Sequence, residues 1–462
     1  MVDAALVVVG AGPAGMAAAT SAARRGALVT VVDSSPRLGG QYFRQSSVGA
    51  GASSPAGPRL PRRFRPLATN ARVELKLGCS VWSAYRDGGR FSLHLDDEEA
   101  TVLRAPAVVL ATGASELVLP FPGWELPGVA TAGAAQALLK SQHVSIGERV
   151  VVAGTGPFLL PVASSLARAG ARVVVVEAAP ARSWPQALAG VAGHPAKLAE
   201  AIGYLSVLAR HRARFLLGHA VVGCEGRGSV ERAVLNRLGP GWQPLSGTAK
   251  TLEADAVCVS YGFVPRLEVA LQLGASTLAR PDHPGVQVAC DANMGTSVPG
   301  LFACGELAGV AGAEVAELEG HLAGEAGAAY LGLGASVAAA GEHRRLGRRL
   351  GRARDFAGAL ERLYPLGEAW TGWLQASTVF CRCEQSTWGA VKAAVAGGAS
   401  TVREVRNLTS CGMGYCQGRT CGPALQLALS SLSGRRLDEV GHLHRRPVAV
   451  PVPLARLAAP GP

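Results

Sequence analysis

The residues best suited to chemistry in this chain are its cysteines and two glycine-rich turns. Ten cysteines are spread over 462 residues, yet five of them fall between Cys381 and Cys421. One residue separates Cys381 from Cys383, 27 more lead to Cys411, and four residues fill each of the gaps from Cys411 to Cys416 and from Cys416 to Cys421. Two loops that each bring thiolates close together can enclose one metal centre, and a four-Cys zinc site satisfies the same arithmetic. Cys421 precedes Gly422-Pro423 and an apolar run to Leu432. Proline suits a first helical turn, so Cys421 is predicted at a helix cap, where backbone N–H groups favour the thiolate. Cys79, Cys224, Cys258, Cys290 and Cys304 are scattered and read as small core residues.

The glycine turns could hold nucleotides. An apolar run, Leu6–Val9, leads into Gly10-Ala11-Gly12-Pro13-Ala14-Gly15, an Ala-rich stretch to about Arg25, and a second run ending in Asp33. This order is a dinucleotide-binding βαβ unit. Gly10 permits the tight turn, Gly12 the approach of backbone to a pyrophosphate, and Gly15 the packing of helix on strand. The helix N-terminus offers N–H groups and partial positive charge, and Asp33 can accept from ribose hydroxyls. A second unit runs through Gly154-Thr155-Gly156-Pro157-Phe158-Leu159, a helix to about Arg168 and a strand ending at Glu177. Leu159 stands where the third glycine belongs, so its bulk is expected to push the helix from the strand or to shift the turn. Gly154, Gly156 and Glu177 are thus candidates for NAD(P) or ATP, or for a retained scaffold with an empty site. Glu177 disfavours NADP, whose 2′-phosphate it would repel.

The totals bound what must position these groups. The length predicts two or three domains, and 48% apolar residues can supply large cores. Abundant glycine and alanine suit closely packed α/β layers. The net charge is +12, from 40 Arg and 5 Lys against 33 acidic residues. No basic stripe is interleaved with aromatics, so nucleic acid is not an expected partner; a phosphate-rich cofactor and an acidic protein partner are. No basic leader precedes the first apolar run, and no unbroken run of membrane-spanning length occurs, so a cytoplasmic protein with no membrane span is expected, or one held peripherally at a membrane through partners. In a reducing compartment, clustered thiols read as metal or redox sites. Residues 341–363 place Leu346, Leu350, Ala353, Ala357, Leu360 and Leu363 at helical spacing, surrounded by Arg344, Arg345, Arg348, Arg349, Arg352 and Arg354, which predicts an amphipathic helix with a basic face. Residues 46–66, rich in Gly, Ser and Pro, read as a mobile loop.

Two further segments carry a family resemblance. Val108-Val109-Leu110-Ala111-Thr112-Gly113 is a strand ending in Ala-Thr-Gly, and residues 296–306 form a strand running into Gly305-Glu306, with Gly309, Gly312 and an Ala-rich helix beyond. Here the chain resembles the flavoproteins with two dinucleotide-binding domains. That resemblance implies an FAD held by Gly10, Gly12, Pro13, Ala14, Gly15, Asp33, Gly40, Gln41, Ala111, Thr112, Gly113, Gly305, Glu306 and Gly312. Glu306 would meet the ribitol chain where the family usually has Asp, which requires a slightly retracted backbone. Disulfide reductases of the family carry a Cys pair soon after Gly39-Gly40-Gln41, but this chain has no Cys before Cys79. Dithiol reduction is therefore not expected.

The cysteine segment resembles the BFD-like [2Fe-2S] domain through Cys381-Arg382-Cys383-Glu384 and Gly412-Met413-Gly414-Tyr415-Cys416-Gln417-Gly418-Arg419-Thr420-Cys421. The resemblance implies a [2Fe-2S] cluster on Cys381, Cys383, Cys416 and Cys421, with Cys411 as the alternative ligand. The expected class is α/β, with two nested Rossmann-like domains and a small helical C-terminal [2Fe-2S] domain. The expected divisions are FAD-binding at 1–118 and 256–335, a nested nucleotide-type domain at 119–255, a basic helical linker at 336–375, the cluster domain at 376–435 and a tail at 436–462. In motif order, and in the stretch 120–140, the chain is similar to the FAD and iron–sulfur subunits of the hydrogen cyanide synthase, opine oxidase and (hydroxy)proline dehydrogenase group. That likeness implies a partner FAD subunit that oxidises an amino acid or amine, with or without a small third subunit. No residue stands out as an amine-oxidising base; His143, His194 and His321 read as surface or packing residues. The competing readings are a self-sufficient NAD(P)H-dependent reductase and a non-catalytic redox-sensing subunit.

Overall fold

The computed structural model describes residues 1–46, 60–181, 194–280, 283–334, 337–442 and 448–457. In chain order the elements that matter are β1 (Leu6–Val9), α1 (Pro13–Arg24), β2 (Val29–Asp33), β3 (Val73–Leu77) and β4 (Ala107–Leu110). Next come β5 (Val129–Thr131), α2 (Ala132–Gln142), β6 (Arg149–Gly154), α3 (Leu159–Arg168), β7 (Arg172–Glu177), α4 (Pro195–Arg210), β8 (Arg214–Leu217) and β9 (Ala256–Ser260). The chain then forms β10 (Leu301–Ala303), α5 (Ala313–Tyr330), α6 (Val337–Leu363), α7 (Trp388–Ala396), α8 (Val402–Thr409) and α9 (Cys421–Ser433).

Two five-stranded sheets follow from these runs. The first has the order β10-β4-β1-β2-β3, and the second β5-β9-β6-β7-β8; every pairing in both is parallel. Strands buried on both faces need continuous apolar side chains, and Leu6, Val7 and Val8 are fully buried accordingly. Glycine and alanine set the layer spacing. A Cβ at Gly15 would lie 1.7 Å from the Gly10 carbonyl oxygen, and Cβ atoms at Gly320 and Gly324 of α5 would lie 2.1 and 2.2 Å from the carbonyl oxygens of Ala14 and Ala18 in α1. Helix α5 therefore lies directly on α1.

Three sequence expectations shift. Strand β9 pairs with β5 and β6 inside the second sheet, so the nested domain extends past 255 to at least Ser260. Its apolar residues give no sign of which sheet they join. Of the loop expected at 46–66, residues 47–59 lie outside the described residues, while Arg62–Thr69 is a short 3-10 helix anchored by buried Phe64 and Leu67. The expected tail does not hang free throughout: Ala449 is buried and its N–H donates to the Trp82 carbonyl at 2.7 Å.

The cysteine domain packs on the nested domain through tryptophans. Trp124 donates to the Val379 carbonyl at 2.5 Å, Trp373 donates to the Pro120 carbonyl at 2.9 Å, and the Arg382 guanidinium lies 4.9 Å from the Trp124 ring centre. One continuous core runs from Leu117 and Trp124 through Trp370 to Phe380, Cys381 and Leu425. Helix α6 buries Leu346 and Leu350 against the FAD-type domain as its spacing predicts. No helix among the described residues is long and apolar enough to cross a membrane.

Candidate functional site

The first glycine turn is braced from within. Asp33 accepts from the Ala11 N–H at 2.5 Å and the Ser35 N–H at 2.7 Å, and burial still raises its pKa. Thr112 donates to the Arg266 carbonyl at 2.8 Å, while the Arg266 N–H donates to the Gly113 carbonyl at 3.0 Å, fixing the turn after β4. Glu306 accepts from the Gly312 N–H at 2.9 Å, and burial pushes its carboxyl up to about 7. These residues face one cavity of about 1940 Å³, roughly twice the ~1,000 Å³ upper end for a single small-molecule site. Every residue expected to hold FAD lines it except Gly15 and Gly305, which pack beneath it. Helices α1 and α5 open on the cavity at Gly12 and Gly312 without side-chain caps. Their first N–H groups are thus left for a ligand's phosphate and polar oxygens, so the cradle fits FAD.

A residue pair invisible in the sequence supports this wall. Glu319 of α5, 2% exposed, accepts from the Gly305 N–H at 2.8 Å and from Arg354 Nη2 at 2.8 Å and Nε at 3.2 Å. One arginine of the basic helix α6 thereby neutralises the carboxylate that holds the Gly305–Glu306 turn.

The second glycine turn is built differently. Leu159 is the first residue of α3, whereas Gly15 is the third of α1, so the helix starts two residues later. Leu159 is 1% exposed and packs with Val150, Val152 and Val162, so the turn shifts as expected and the side chain fills core. Gly156 adopts φ +104° where Gly12 has φ −74°. Glu177 accepts from the Gly156 N–H at 3.0 Å and the Ala179 N–H at 2.9 Å, is buried, and is pushed up to about 7. It does not line the cavity, though Thr155, Gly156 and Phe158 do.

The five clustered thiols form a buried trio and an outer pair. Cys381, Cys411 and Cys421 are buried, with their sulfurs within 4.8 Å of one another, and Cys421 Sγ lies 3.7 Å from Cys381 Sγ. Hydrogen bonds from Cys411 and Cys421 lower the pKa of Cys381. Cys383, exposed, pairs with half-buried Cys416. A Cβ at Gly414 would lie 2.3 Å from the Cys383 Cβ, so only glycine lets this loop close over the pair. Cys421 is the first residue of α9 rather than its cap. Two cross-loop pairs of sulfurs suit an iron–sulfur donor set.

The three histidines are spread out. His321 bonds Ser21 at 2.7 Å between α1 and α5; His143 bonds Ser46 at 2.8 Å; His194 lies against Phe356 on the cavity wall. Sequence reasoning also missed Glu116, which accepts from the Gly133 N–H at 2.9 Å, and Arg419, which donates to Glu268 at 2.5 Å and to the Cys416 carbonyl at 3.1 Å.

Fold and site together define an FAD-dependent oxidoreductase with a C-terminal iron–sulfur domain. The chain belongs to the pyridine nucleotide-disulphide oxidoreductase family, whose model matches residues 4–320; the BFD-like [2Fe-2S] binding domain model matches residues 379–431. It is similar to hydrogen cyanide synthase subunit HcnB of Pseudomonas protegens, 30% identical over 97% of this chain and 96% of that one. An opine oxidase subunit of Agrobacterium tumefaciens is 33% identical over 98% of this chain and 91% of that one. The L-proline dehydrogenase structure from P. horikoshii shares the fold, with a TM-score of 0.71 and 18% identity over 99% of this chain and 80% of that one.

Proposed function

We propose that this chain is the electron-transfer subunit of a multi-subunit amino-acid or amine dehydrogenase or oxidase. A separate FAD-dependent subunit, with or without a small third subunit, oxidises an opine-, glycine- or proline-type substrate, and this chain passes the electrons to an acceptor. The observation that carries the reading is a shared wall. Arg419 and Thr420, between Cys416 and Cys421, line the same cavity as Gly10, Asp33 and Thr112. FAD exchanges electrons in pairs or singly and a [2Fe-2S] cluster one at a time, which is the chemical use of joining them. The chain's own part is to hold both sites at fixed spacing. Arg419 does so by tying the cysteine loop to Glu268 and to the Ala449 carbonyl. The relatives' names, each that of a subunit, support a complex.

For the cluster we favour Cys381, Cys383, Cys416 and Cys421 as ligands, because Cys421 opens α9, whose first N–H groups favour a thiolate, with Cys411 as the alternative. A self-sufficient NAD(P)H-dependent reductase is the weaker reading, since Glu177 does not line the cavity and Leu159 stands in place of the third glycine. The test is division of labour. Alone, the purified chain should leave glycine, proline and opines unoxidised while dithionite reduces it; with its partner subunit it should be reduced by substrate. Oxidation by the isolated chain at the rate of the complex overturns the proposal.

A further inference from the structure

Helix α2 turns Gly133, Gln136 and Lys140 to the large cavity, at the spacing of one helical face. Lys140 is only 4% exposed, in a chain with five lysines. Among the described residues its ammonium has one long hydrogen bond, 3.4 Å to the Tyr42 carbonyl. Among the described residues, the only other charge acting on it is the like charge of Arg44, which also lines the cavity, and burial with that neighbour pushes Lys140 down to about 8. Arg44 itself donates to the neutral Gln41 side chain, at 3.1 and 2.8 Å. Gln136, one turn earlier and 9% exposed, adds an amide to the same face. A buried ammonium is costly without an anion, and an adjacent cation adds to the mismatch.

We propose that Lys140, Arg44 and Gln136 form a binding site for the oxyanion, phosphate or carboxylate, of a second ligand that occupies this cavity beside FAD. The diphosphate of FAD has its own place at the uncapped start of α1, and the cavity volume exceeds what one ligand needs. A phosphate dianion would match both cations, while a carboxylate would take the Arg44 fork with Lys140 as its second donor. The inference stands on this cavity alone and does not depend on the electron-transfer reading.

The test uses pyridoxal 5′-phosphate, whose aldehyde condenses with an amine beside an anion site, followed by borohydride and peptide mapping of the full FAD-loaded chain. With Lys76, Lys140, Lys197, Lys250 and Lys392 as the only lysines, assignment is direct. Labelling should favour Lys140 over exposed Lys250 and Lys392, and excess inorganic phosphate or acetate should suppress it at least about tenfold, a difference of ~1.4 kcal/mol in binding. Suppression by phosphate alone assigns a phosphorylated ligand, and suppression by acetate a carboxylate. Calorimetric binding of the protecting anion should be lost in Lys140→Gln and weakened in Arg44→Gln, a second variant should the first fail to fold. Labelling that neither anion suppresses, or equal anion binding by wild type and Arg44→Gln, overturns the site.

Discussion

Removing the Arg354 guanidinium, which pairs with Glu319, 35 residues earlier in the sequence, should loosen the FAD cradle. Arg354→Ala leaves the Glu319 carboxylate, 2% exposed, without its cation while it still holds the Gly305 N–H. Breaking a fully buried pair costs about 3–5 kcal/mol, but the Arg354 side chain is 46% exposed and solvent screens it, so about 1–3 kcal/mol is expected. The loss should appear partly as unfolding free energy and partly as weaker FAD binding. A share of about 1–2 kcal/mol raises the FAD dissociation constant roughly 5- to 30-fold. The pH dependence has a definite sign. Burial already raises the Glu319 pKa, and loss of Arg354 raises it further. The deficit relative to wild type should therefore be full at pH 8, where the wild-type carboxylate is charged, and should shrink in acid, where both proteins hold it neutral. Guanidinium denaturation of the apo-protein at pH 5 and pH 8, with FAD titration by fluorescence, measures both shares. Equal stability and equal FAD affinity of Arg354→Ala and wild type at pH 8 would refute the reasoning.

Three other outcomes follow from the same geometry. Gly15→Ala puts a Cβ 1.7 Å from the Gly10 oxygen, an overpacking that should cost at least ~1–3 kcal/mol and strip FAD absorbance from the purified chain. Glu177 is raised to about 7 by burial, so its contribution to stability is greatest below its unfolded pKa near 4.5 and is lost as pH rises through about 7. Glu177→Gln should therefore fall less than wild type between pH 5 and pH 8, by up to ~3 kcal/mol, and parallel unfolding profiles would contradict this. Of Cys411→Ser and Cys421→Ser, only the second should lose the iron–sulfur absorbance, and the reverse pattern would make Cys411 the ligand.

What could be read in the sequence was local. The two βαβ units, the helices beyond Gly312 and from Cys421, and the apolar stripe of Leu346 and Leu350 all rest on spacings within one element. The shift at Leu159 was also legible, because a side chain cannot occupy the contact that Gly15 makes. Pairings between distant segments were not legible. Glu319 is one acid among several on α5, and only the fold brings Gly305 and Arg354 to it. Arg419 and Glu268 are 151 residues apart, and neither lies in a motif that names its partner. The strand Ala256–Ser260 is apolar enough for either sheet, so its membership was decided by its neighbours. Spacing did not separate Cys411 from Cys421, and folding of the loop after α8 places both in the buried trio.

The most direct test of the account is whether electrons pass from flavin to cluster within one chain. The FAD- and cluster-loaded chain would be mixed anaerobically with a limiting two-electron reductant, and samples frozen over time for optical and EPR spectra. The account predicts a cluster signal that grows as the reduced flavin gives up one of its two electrons, at a rate independent of protein concentration and slowed in Arg419→Ala. A rate that rises in proportion to protein concentration, or reduced flavin with no cluster signal at all, would contradict it.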